Sequence, residues 1–360
     1  MKFFVGLIAI FMFCHIDAYA CTSFQIKTKD QHVFYARTLE GEIDFQSAFI
    51  VIPKGTSYVG TLPDSSSNGL RWTSTYGMVG ISALGRPLIM DGINEKGLAG
   101  GNLLFPSFAE YQPFEAALSQ KTVAQWELLT WILSNFATVE EVKASISTIR
   151  VCNSLLHNEI GFLPLHVVLH DRKGDCLVIE YTKGLLQMYN NPLGVMTNSP
   201  PFDWHLTNLR NYVNISATNV KPVALEGIKE TGLGQGTGML GLPGDYTPPS
   251  RFVRMVALTN SALPVAGLEE GLNLAMTIID NIDIPLGAIR DVSGPNIAMD
   301  RTFWTVVGDL TQGRYYFRTY GNKDWRMVDV SKAVSKNRLQ KIELYTKPLY
   351  RDVTDTAVAW

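Results

Sequence analysis

A cysteine follows directly after a segment that is typical of an export signal. Met1-Lys2 is positively charged, residues 3–13 are an unbroken apolar run, and Ala18-Tyr19-Ala20 has small residues where signal peptidase needs them. Cleavage after Ala20 would leave Cys21 with a free thiol and an α-amine, whose pKa of about 7.7–8.0 suits a general base. The sequence therefore predicts a cysteine nucleophile that uses its own amine as the base.

Other interpretations of this junction remain open. A membrane anchor needs about 20 apolar residues, whereas His15 and Asp17 end the run early. In a lipid-anchored binding protein Cys21 would carry lipid and no catalysis, but the bulky Tyr19 fits a lipidation signal poorly. A papain-like protease would carry a Cys-Gly-Ser-Cys type of pattern around its nucleophile, which is absent. We expect a secreted or periplasmic protein without a stable membrane anchor.

The composition is that of an ordinary globular protein, with 46% hydrophobic and 18% charged residues. A formal charge of -2 and a pI near 6.3 make nucleic acid an improbable partner. Removing Cys14 with the signal leaves an odd number of cysteines, and a catalytic thiol is one explanation for an unpaired one. Cys152 and Cys176 could form a disulfide, although we favour two separately buried thiols.

The pattern of elements favours an α+β fold formed by one domain, residues 21–360. Strands are predicted over 22–28 and 32–37, so Cys21 should begin a β-hairpin that brings Arg37 back beside it. Helical periodicity covers 124–136, and Thr138-x-x-Glu141 is a capping box that begins a second helix. Strand patterns return at 165–170 and 176–181, helices follow from Ser250 and over 268–282, and strands fill 302–309, 314–320 and 325–330. Such blocks fit two packed sheets with helix pairs outside.

Several polar residues have ordinary structural explanations when each is taken alone. His166, His170 and Asp171 are a possible metal ligand set, but the two histidines lie two pleats apart in a strand and no further ligand is near. Asp91 to Gly97 could form a hairpin turn, and Asn198 could be a turn residue. Arg37 and Arg251 could be solvated, although a cation at Arg251 opposes the dipole of its helix. The glycines between positions 232 and 244 lack a nucleotide-loop pattern and indicate a surface loop.

Taken together and in order, five segments resemble the choloylglycine hydrolases, a family that includes penicillin V acylases and bile salt hydrolases. The segments are Cys21-Thr22-Ser23, Ala36-Arg37-Thr38, Asp91-Gly92-Ile93-Asn94-Glu95-Lys96-Gly97, Met196-Thr197-Asn198-Ser199-Pro200, and Gly241 to Phe252 with Arg251 near its end. The resemblance spans nearly the whole chain after residue 20. It implies an N-terminal nucleophile hydrolase fold, which is a four-layer αββα sandwich.

The resemblance also implies an activity and a set of site residues. The activity is hydrolysis of linear amides other than peptides, on a small acylated substrate, with no metal or organic cofactor and in a homo-oligomer, a tetramer in the family. Cys21 matches the nucleophile, Arg37 the arginine beside it, Asn198 an oxyanion-hole amide and Arg251 a second arginine. Leu104 falls where the family supplies another oxyanion contact, through its backbone N–H. The two arginines should lower the pKa of the thiol.

One position departs from the family pattern. The family has Arg-x-x-Asp, whereas this chain has Arg37-Thr38-Leu39-Glu40, so the carboxylate that helps to orient the cysteine lies one methylene further out. Among substrates, Trp204-His205 and Tyr246-Thr247-Pro248 resemble penicillin V acylases slightly more than bile salt hydrolases. Phenoxyacetyl-type amides are therefore the first expectation, followed by bile salt conjugates and N-acyl homoserine lactones.

Overall fold

A computed structural model describes residues 20–42, 44–156, 161–292 and 297–358. The predicted export signal lies outside the described residues, apart from Ala20, which is joined to Cys21 by an intact peptide bond. Among the described residues, no helix is both long enough and apolar enough to cross a bilayer.

In the described part of the chain, strands make up most of the regular structure, and six α-helices accompany them. The strands are β1 (Ala20–Lys27), β2 (Val33–Gly41), β3 (Ala48–Ile52), β4 (Ser57–Val59), β5 (Arg71–Thr73), β6 (Met78–Ser82), β7 (Ile89–Asn94), β8 (Ala99–Leu104), β9 (Thr122–Ala124), β10 (Arg150–Cys152), β11 (Leu165–His170), β12 (Cys176–Thr182), β13 (Leu185–Asn190), β14 (Val223–Leu225), β15 (Ile228–Glu230), β16 (Ile289–Asp291), β17 (Ala298–Asp309), β18 (Arg314–Thr319), β19 (Asn322–Asp329) and β20 (Gln340–Ile342). The helices are α1 (Leu128–Asn135), α2 (Val139–Ser145), α3 (Phe202–Asn208), α4 (Pro248–Ser261), α5 (Leu268–Ile279) and α6 (Val330–Val334).

Two large antiparallel sheets form the centre of the fold. The first has the strand order β1-β2-β17-β18-β19, with β16 paired to β17, and the second has the order β13-β12-β11-β8-β7-β6-β3-β20. Apolar side chains from both sheets meet between them, as where the rings of Phe49 and Phe317 stack with centroids 4.8 Å apart. Helices α4 and α5 pack on the first sheet, and α1 packs on the second. The predicted αββα sandwich is confirmed.

The hairpin predicted at Cys21 is present, and its register fixes two of the candidate residues. Cys21 pairs with Leu39 and Ser23 pairs with Arg37 across β1 and β2. Strand β2 lies between β1 and β17, and all of its residues are buried. Arg37 is therefore an interior arginine, and the solvated alternative for it is wrong.

Several predicted elements differ in their ends, and strands β2 and β17 each extend four residues beyond the prediction. The helix expected over 124–136 is α1, which begins only at Leu128 because the preceding residues form β9, paired in parallel with β10. The last of the predicted strands is β19, which begins at Asn322 rather than at position 325. Helix α4 begins at Pro248, with Thr247 as its N-cap residue, because proline is well suited to the first helical position. The predicted capping box is confirmed, since the Glu141 N–H donates to the Thr138 hydroxyl at 3.2 Å.

Candidate active site

Cys21 is brought to Asn198 by a single backbone bridge. Strand β1 is an edge strand, and Ser23 pairs across its open side with Met196 through two hydrogen bonds of 2.7 and 2.8 Å. In an antiparallel bridge the residue two before Ser23 faces the residue two after Met196. That relation places Asn198 opposite Cys21, with the Cys21 N–H donating to Asn198 Oδ1 at 2.7 Å.

The Asn198 amide is the most connected group of the site. Its Oδ1 accepts from Cys21 N and, at 2.8 Å, from Arg251 Nη2. Its Nδ2 donates to the Leu104 carbonyl oxygen at 2.8 Å. A primary amide carries two hydrogens on nitrogen, so one hydrogen remains available for another acceptor. The structure thus gives Asn198 a role beyond that of a turn residue.

Arg251 is fully buried, so the solvated alternative is wrong for this arginine as well. It projects from the first turn of α4 and donates to the Cys21 carbonyl oxygen and to the Thr22 hydroxyl, besides Asn198. Its Nε donates to the Tyr246 carbonyl oxygen at 2.9 Å. These partners compensate the loss of hydration and tie the segment before α4 to the start of β1.

Arg37 lies next to the thiol and is held by residues of both sheets. Its Nη2 is 3.5 Å from Cys21 Sγ and also donates to the Asn102 carbonyl oxygen. Its Nε is 3.7 Å from Asp91 Oδ2, and its guanidinium stacks 4.8 Å above the ring of Trp304. A planar guanidinium can make the ion pair and the stacking contact at the same time.

Asp91 is the residue of the candidate site that the sequence interpretation missed. It is a fully buried residue of β7 rather than a turn residue, and the hairpin turn lies further along, after Asn94. Its Oδ1 accepts from the hydroxyls of Tyr35 at 2.8 Å and Tyr315 at 2.6 Å. Burial raises the pKa of Asp91 to about 6, against the opposing effects of Arg37 and the two tyrosines. Because the Asp-Gly pair favours turns, the sequence alone did not show that Asp91 is a buried counter-ion of Arg37.

Gly101 on β8 makes room for the pair of Arg37 and Asp91. A Cβ atom at Gly101 would lie 2.6 Å from Arg37 Cδ and 2.7 Å from both Arg37 Nε and Asp91 Oδ2. We expect Gly101→Ala to push the guanidinium away from the thiol and to lower kcat/KM roughly 100-fold, as small misplacements of active-site groups do. The measurement is amide hydrolysis by the purified variant.

Gly321→Ala is the matched control, because nothing lies within 4 Å of a Cβ at that glycine. It should retain the activity of the unsubstituted chain. Thermal unfolding of both variants separates a displaced arginine from a general loss of stability. Full activity of Gly101→Ala would contradict the argument that Gly101 leaves the room that Arg37 and Asp91 need.

Burial raises the pKa of the Cys21 thiol above its ordinary value in the chain that retains Ala20, and Glu40 adds to the rise. As predicted, Arg37 and Arg251 both lower the pKa of the thiol, and the Leu104 backbone N–H acts in the same direction. These lowering effects do not outweigh the effect of burial. The Leu104 contact does place that N–H beside the sulfur, where an oxyanion would form on the attacked carbonyl.

Glu40 lies directly across the hairpin from Ala20. Its side chain is fully buried, and within the described ranges neither carboxylate oxygen has a hydrogen-bond partner. Burial raises its pKa to about 7, although the charges of Arg251 and Arg37 and the hydroxyl of Thr38 oppose the rise. The Glu40 carboxyl group thus lies in the interior, across from the residue that processing would remove.

The burial of Glu40 leads to a prediction about the free energy of unfolding and its dependence on pH. A carboxyl whose pKa is raised on folding stabilises the fold fully below its ordinary pKa, near 4.5, and this contribution disappears as the pH rises through about 7. A shift of that size corresponds to about 3 kcal/mol. Urea unfolding should therefore be measured on chains that retain Ala20. The free energy of unfolding of Glu40→Gln minus that of the parent chain should be larger at pH 8 than at pH 5. Glu140→Gln, at an exposed helix position, is the control; equal pH slopes for parent and Glu40→Gln would contradict the prediction.

Two buried histidines hold the peptide groups on either side of Asn198. His166 Nε2 lies 2.9 Å from the Thr197 carbonyl oxygen, and its Nδ1 lies 3.1 Å from Glu180 Oε1. His205 Nε2 lies 2.9 Å from the Asn198 carbonyl oxygen. Both carbonyl oxygens are acceptors, so each Nε2 carries a hydrogen. His205, singled out in the sequence as a substrate-related residue, therefore supports the Asn198 segment.

The candidate metal ligands have separate protein partners. His166 belongs to the arrangement around Asn198, whereas His170 lies 3.1 Å from the Ser23 hydroxyl and 3.2 Å from Gln25 Oε1. The Asp171 carboxylate accepts from the backbone N–H groups of Val139, Lys173 and Asp175. Over the described ranges, no group of three or more His, Cys, Asp or Glu side chains could hold a metal ion.

Cys152 and Cys176 are free thiols, as favoured from the sequence. Both are buried, on β10 and β12 respectively. With Cys21 they are the three cysteines that follow the predicted signal. Of the three, Cys21 is the one whose sulfur lies 3.5 Å from Arg37 Nη2.

A cavity of about 410 Å³ opens beside Asn198 and Ala20. Its lining is mainly apolar and consists of Ala20, Pro106, Asn198, Ser199, Tyr246, Thr247, Pro248, Ile289, Asp291 and Asp300. Because Ala20 forms part of the wall, its removal would open the cavity towards Cys21. This volume is in the range of small-molecule sites.

The two-sheet αββα sandwich, with a cysteine at the beginning of its first strand, defines the class of N-terminal nucleophile hydrolases. The chain belongs to the choloylglycine hydrolase family of linear amide C–N hydrolases, whose family pattern matches residues 21–343. It is therefore a hydrolase that acts on the C–N bonds of linear amides. The match begins at Cys21.

Relatives of two substrate types are similar to the chain. A bile salt hydrolase/transferase of Clostridium perfringens is 33% identical over 331 residues, which cover 91% of this chain and 98% of the relative. A penicillin V acylase of Pectobacterium atrosepticum is 29% identical over 319 residues, covering 82% and 77%. The bile salt enzyme is thus the more similar of the two.

The solved structures give the same order of similarity. A conjugated bile acid hydrolase from Clostridium perfringens matches with a TM-score of 0.82 and 31% identity, over 93% of this chain and all of that one. A penicillin V acylase from Agrobacterium tumefaciens matches with a TM-score of 0.72 and 25% identity, over 91% and 95%. The bile acid hydrolase was solved with a cysteine changed to alanine and, separately, with an arginine sixteen positions later changed to leucine. Cys21 and Arg37 have the same separation.

Proposed function

We propose that residues 1–20 are removed on export to the periplasm or the exterior and that Cys21, as the new N-terminal residue, is the nucleophile of an amide hydrolase. The observation that supports this proposal most directly is the position of the nitrogen and of the sulfur of Cys21. Its nitrogen lies 2.7 Å from Asn198 Oδ1, and its sulfur lies 3.5 Å from an Arg37 nitrogen. One residue can thus present a base and a nucleophile to the same substrate carbonyl.

The proposed reaction proceeds through a thioester. The Cys21 α-amine takes the thiol proton, and the sulfur attacks the amide carbonyl carbon. The remaining Asn198 Nδ2 hydrogen and the Leu104 backbone N–H stabilise the oxyanion. As the tetrahedral intermediate collapses, the ammonium returns its proton to the leaving nitrogen, and the free amine departs. Water, deprotonated by the α-amine, then releases the acid and restores the thiol.

Processing would also change the charges around the sulfur. An α-ammonium formed next to Glu40 would give that buried carboxylate a partner and would place positive charge beside the thiol. Positive charge lowers the pKa of a thiol. The raised thiol pKa of the unprocessed chain would then fall on maturation, which supports activation by cleavage.

For the substrate, we propose amides of the phenoxyacetyl type, as in penicillin V. Tyr246, Thr247 and Pro248, which resemble penicillin V acylases, line the cavity of about 410 Å³. A phenoxyacetyl group has one ring and a short linker, and such a group fills a cavity of this size more readily than a four-ring steroid. The higher similarity to bile salt hydrolases supports conjugated bile salts as the second candidate.

The test is to compare hydrolysis of penicillin V, glycocholate and an N-acyl homoserine lactone by the processed protein. We expect the largest kcat/KM with penicillin V. A larger value for glycocholate would support the bile salt candidate, and a larger value for the lactone would support a lactone acylase. No hydrolysis of any of the three would contradict the substrate proposal.

The lipid-anchored alternative has less support. Cys21 is paired in a β-hairpin and only 1% exposed, whereas a lipidated cysteine needs a terminus that reaches a membrane surface. The intact mass of the purified protein separates the two, because a diacylglyceryl group on Cys21 would contradict the hydrolase proposal.

We also propose that the chain forms a homo-oligomer, a tetramer by resemblance to the family. Strands β14 and β15 form a hairpin whose apolar residues Val223, Leu225 and Ile228 are each more than half exposed. Exposed apolar patches often mark interfaces between proteins. Light scattering on the purified protein should give a multiple of the chain mass, and a monomer at micromolar concentration would contradict this proposal.

A further inference from the structure

One buried histidine contacts the chain segments that carry both candidate oxyanion donors. The ring of His166 stacks on that of Phe105, the residue after Leu104, with centroids 4.5 Å apart and planes inclined by 9°. The Nε2 of His166 donates to the Thr197 carbonyl oxygen, in the peptide group that precedes Asn198. A shift of His166 would therefore move the Leu104 N–H and the Asn198 amide relative to each other.

Glu180 on β12 holds the opposite edge of this histidine. It is fully buried, and its Oε1 lies 3.1 Å from His166 Nδ1. The same oxygen accepts from the backbone N–H of Phe202, the first residue of α3, at 3.2 Å. Because Nε2 of His166 already donates to a carbonyl oxygen, Nδ1 and Oε1 attract each other only through a second hydrogen, carried by the imidazole or by the carboxyl group. The two side chains are thus joined by a hydrogen bond.

Helix α3 leads back to Asn198. Three residues after Phe202, His205 donates from Nε2 to the Asn198 carbonyl oxygen at 2.9 Å. The ring of His205 stacks on that of Phe252 in α4, with centroids 4.6 Å apart. Hydrogen bonds and chain segments therefore form a closed ring, which we call the support ring. Its members are Glu180, His166, Thr197, Asn198, His205 and Phe202.

The support ring and the contacts of the Asn198 amide fix different parts of this residue. The amide itself is bonded to Cys21, Arg251 and Leu104. The support ring instead fixes the backbone, through the carbonyl oxygens of Thr197 and Asn198. Groups that stabilise a transition state have to be held within roughly 0.5 Å of their working positions by packing and hydrogen bonds behind them. A buried network of hydrogen bonds can supply that rigidity.

We propose that Glu180, His166 and His205 are positioning residues that hold the two oxyanion donors at the spacing that the tetrahedral intermediate needs. This inference rests on the proposed amide hydrolysis at Cys21. The oxyanion forms only during the reaction, so a displaced donor lowers the rate of the chemical step and has little effect on substrate binding.

Glu180→Ala tests the proposal, because it removes the acceptor that joins His166 to α3. We expect kcat and kcat/KM for a phenoxyacetyl amide to fall together, roughly 100-fold, as a displacement of about 1 Å in an active site causes. Glu180→Gln should recover most of this loss, since its amide can accept from the Phe202 N–H and donate to His166 Nδ1.

Phenoxyacetaldehyde gives a second readout that does not require turnover. The Cys21 sulfur adds to the aldehyde carbon, the thiol proton passes to the aldehyde oxygen, and this oxygen takes the place of the oxyanion. Its inhibition constant should rise in Glu180→Ala by about the factor by which kcat/KM falls, as expected for an analogue of the transition state. An unchanged inhibition constant in the folded variant would overturn the proposal.

Glu127→Ala is the matched control, because Glu127 is also a buried carboxylate that accepts backbone N–H groups, those of Thr61 and Ala124. It should lose stability in thermal unfolding and retain the kcat of the parent. An equal loss of kcat in Glu127→Ala and Glu180→Ala would overturn the proposal, because a general loss of stability would then explain both.

His205→Phe tests the support ring at a second point and decides the question if Glu180→Ala does not fold. It keeps an aromatic ring against Phe252 and removes the donor to the Asn198 carbonyl oxygen. It should lower kcat in the same direction, and a parent-like kcat in this variant would contradict the proposal. If the parent protein hydrolyses no amide, the proposed function is refuted, and the inference with it; hydrolysis by the parent with unaffected variants refutes the inference alone.

Discussion

Replacing Cys21 by alanine should abolish amide hydrolysis by the processed protein while leaving its fold intact. The sulfur is the atom proposed to bond to the substrate, and loss of a covalent nucleophile costs roughly 10,000-fold or more in kcat. The change removes one buried atom from a position fixed by backbone pairing with Leu39, so the hairpin should persist. Initial rates with a phenoxyacetyl amide, together with circular dichroism, measure both expectations.

Cys152→Ala is the control for this experiment, because it removes an equally buried thiol on another strand. It should keep most of the activity, apart from a modest loss of stability. Cys21→Ser is a further variant, and we expect strongly reduced hydrolysis because a hydroxyl is harder to deprotonate than a thiol. Substantial activity in Cys21→Ala would mean that another group attacks the amide.

Retention of a single residue before Cys21 should be almost as damaging as loss of the thiol. With Ala20 in place the Cys21 nitrogen is a peptide amide, which donates its hydrogen to Asn198 and has no basic lone pair to accept the thiol proton. Ala20 also fills part of the cavity wall. We expect at least about a 1,000-fold lower kcat/KM, since general-base catalysis and access to the sulfur are lost together.

Two chains that differ by one residue provide the measurement. One begins at Cys21 and the other at Ala20, each after removal of the initiator methionine, and mass spectrometry verifies both termini. The longer chain should be folded and inactive. If it hydrolysed amides as fast as the shorter chain, the α-amine could not be the base, and the proposal of activation by cleavage would be wrong.

The residues that lie around Cys21 could be predicted because their signal is local or belongs to a short motif. The position of Cys21 after a signal-like segment indicated its chemistry, and the hairpin pattern placed Arg37 beside it. Asn198 and Arg251 were ambiguous residues individually, and only the combined resemblance to a family identified them. The alternating blocks of strands and helices were sufficient for the sandwich.

The support around Arg37 could not be predicted, because it depends on how the two sheets face each other. Asp91 belongs to the second sheet, whereas Tyr315 and Trp304 belong to the first, on strands more than 200 residues away along the chain. Gly101 is needed for the space it leaves, and a sequence does not show which side chains pass over a glycine. The raised thiol pKa was missed for the same reason, since it results from burial.

The start of α4 shows a local error of a different kind. Ser250 is a good capping residue, but Thr247-Pro248 provides an earlier start, and the Ser250 hydroxyl donates instead to Asp245 Oδ2 at 2.7 Å. The cap thus lies three residues earlier than predicted, and Arg251 moves from the first to the fourth residue of the helix, from which its side chain reaches back to Cys21.

The contacts of Cys21 also govern when the enzyme can become active during its synthesis. Its nitrogen bonds to a residue 177 positions later, and its carbonyl oxygen to one 230 positions later. Contacts of such long range form only after most of a chain is available to fold. A growing polypeptide that has emerged only as far as β13, which ends at Asn190, contains Cys21 but lacks both Asn198 and Arg251. The proposed reactive centre is thus assembled only once most of the chain has been synthesised.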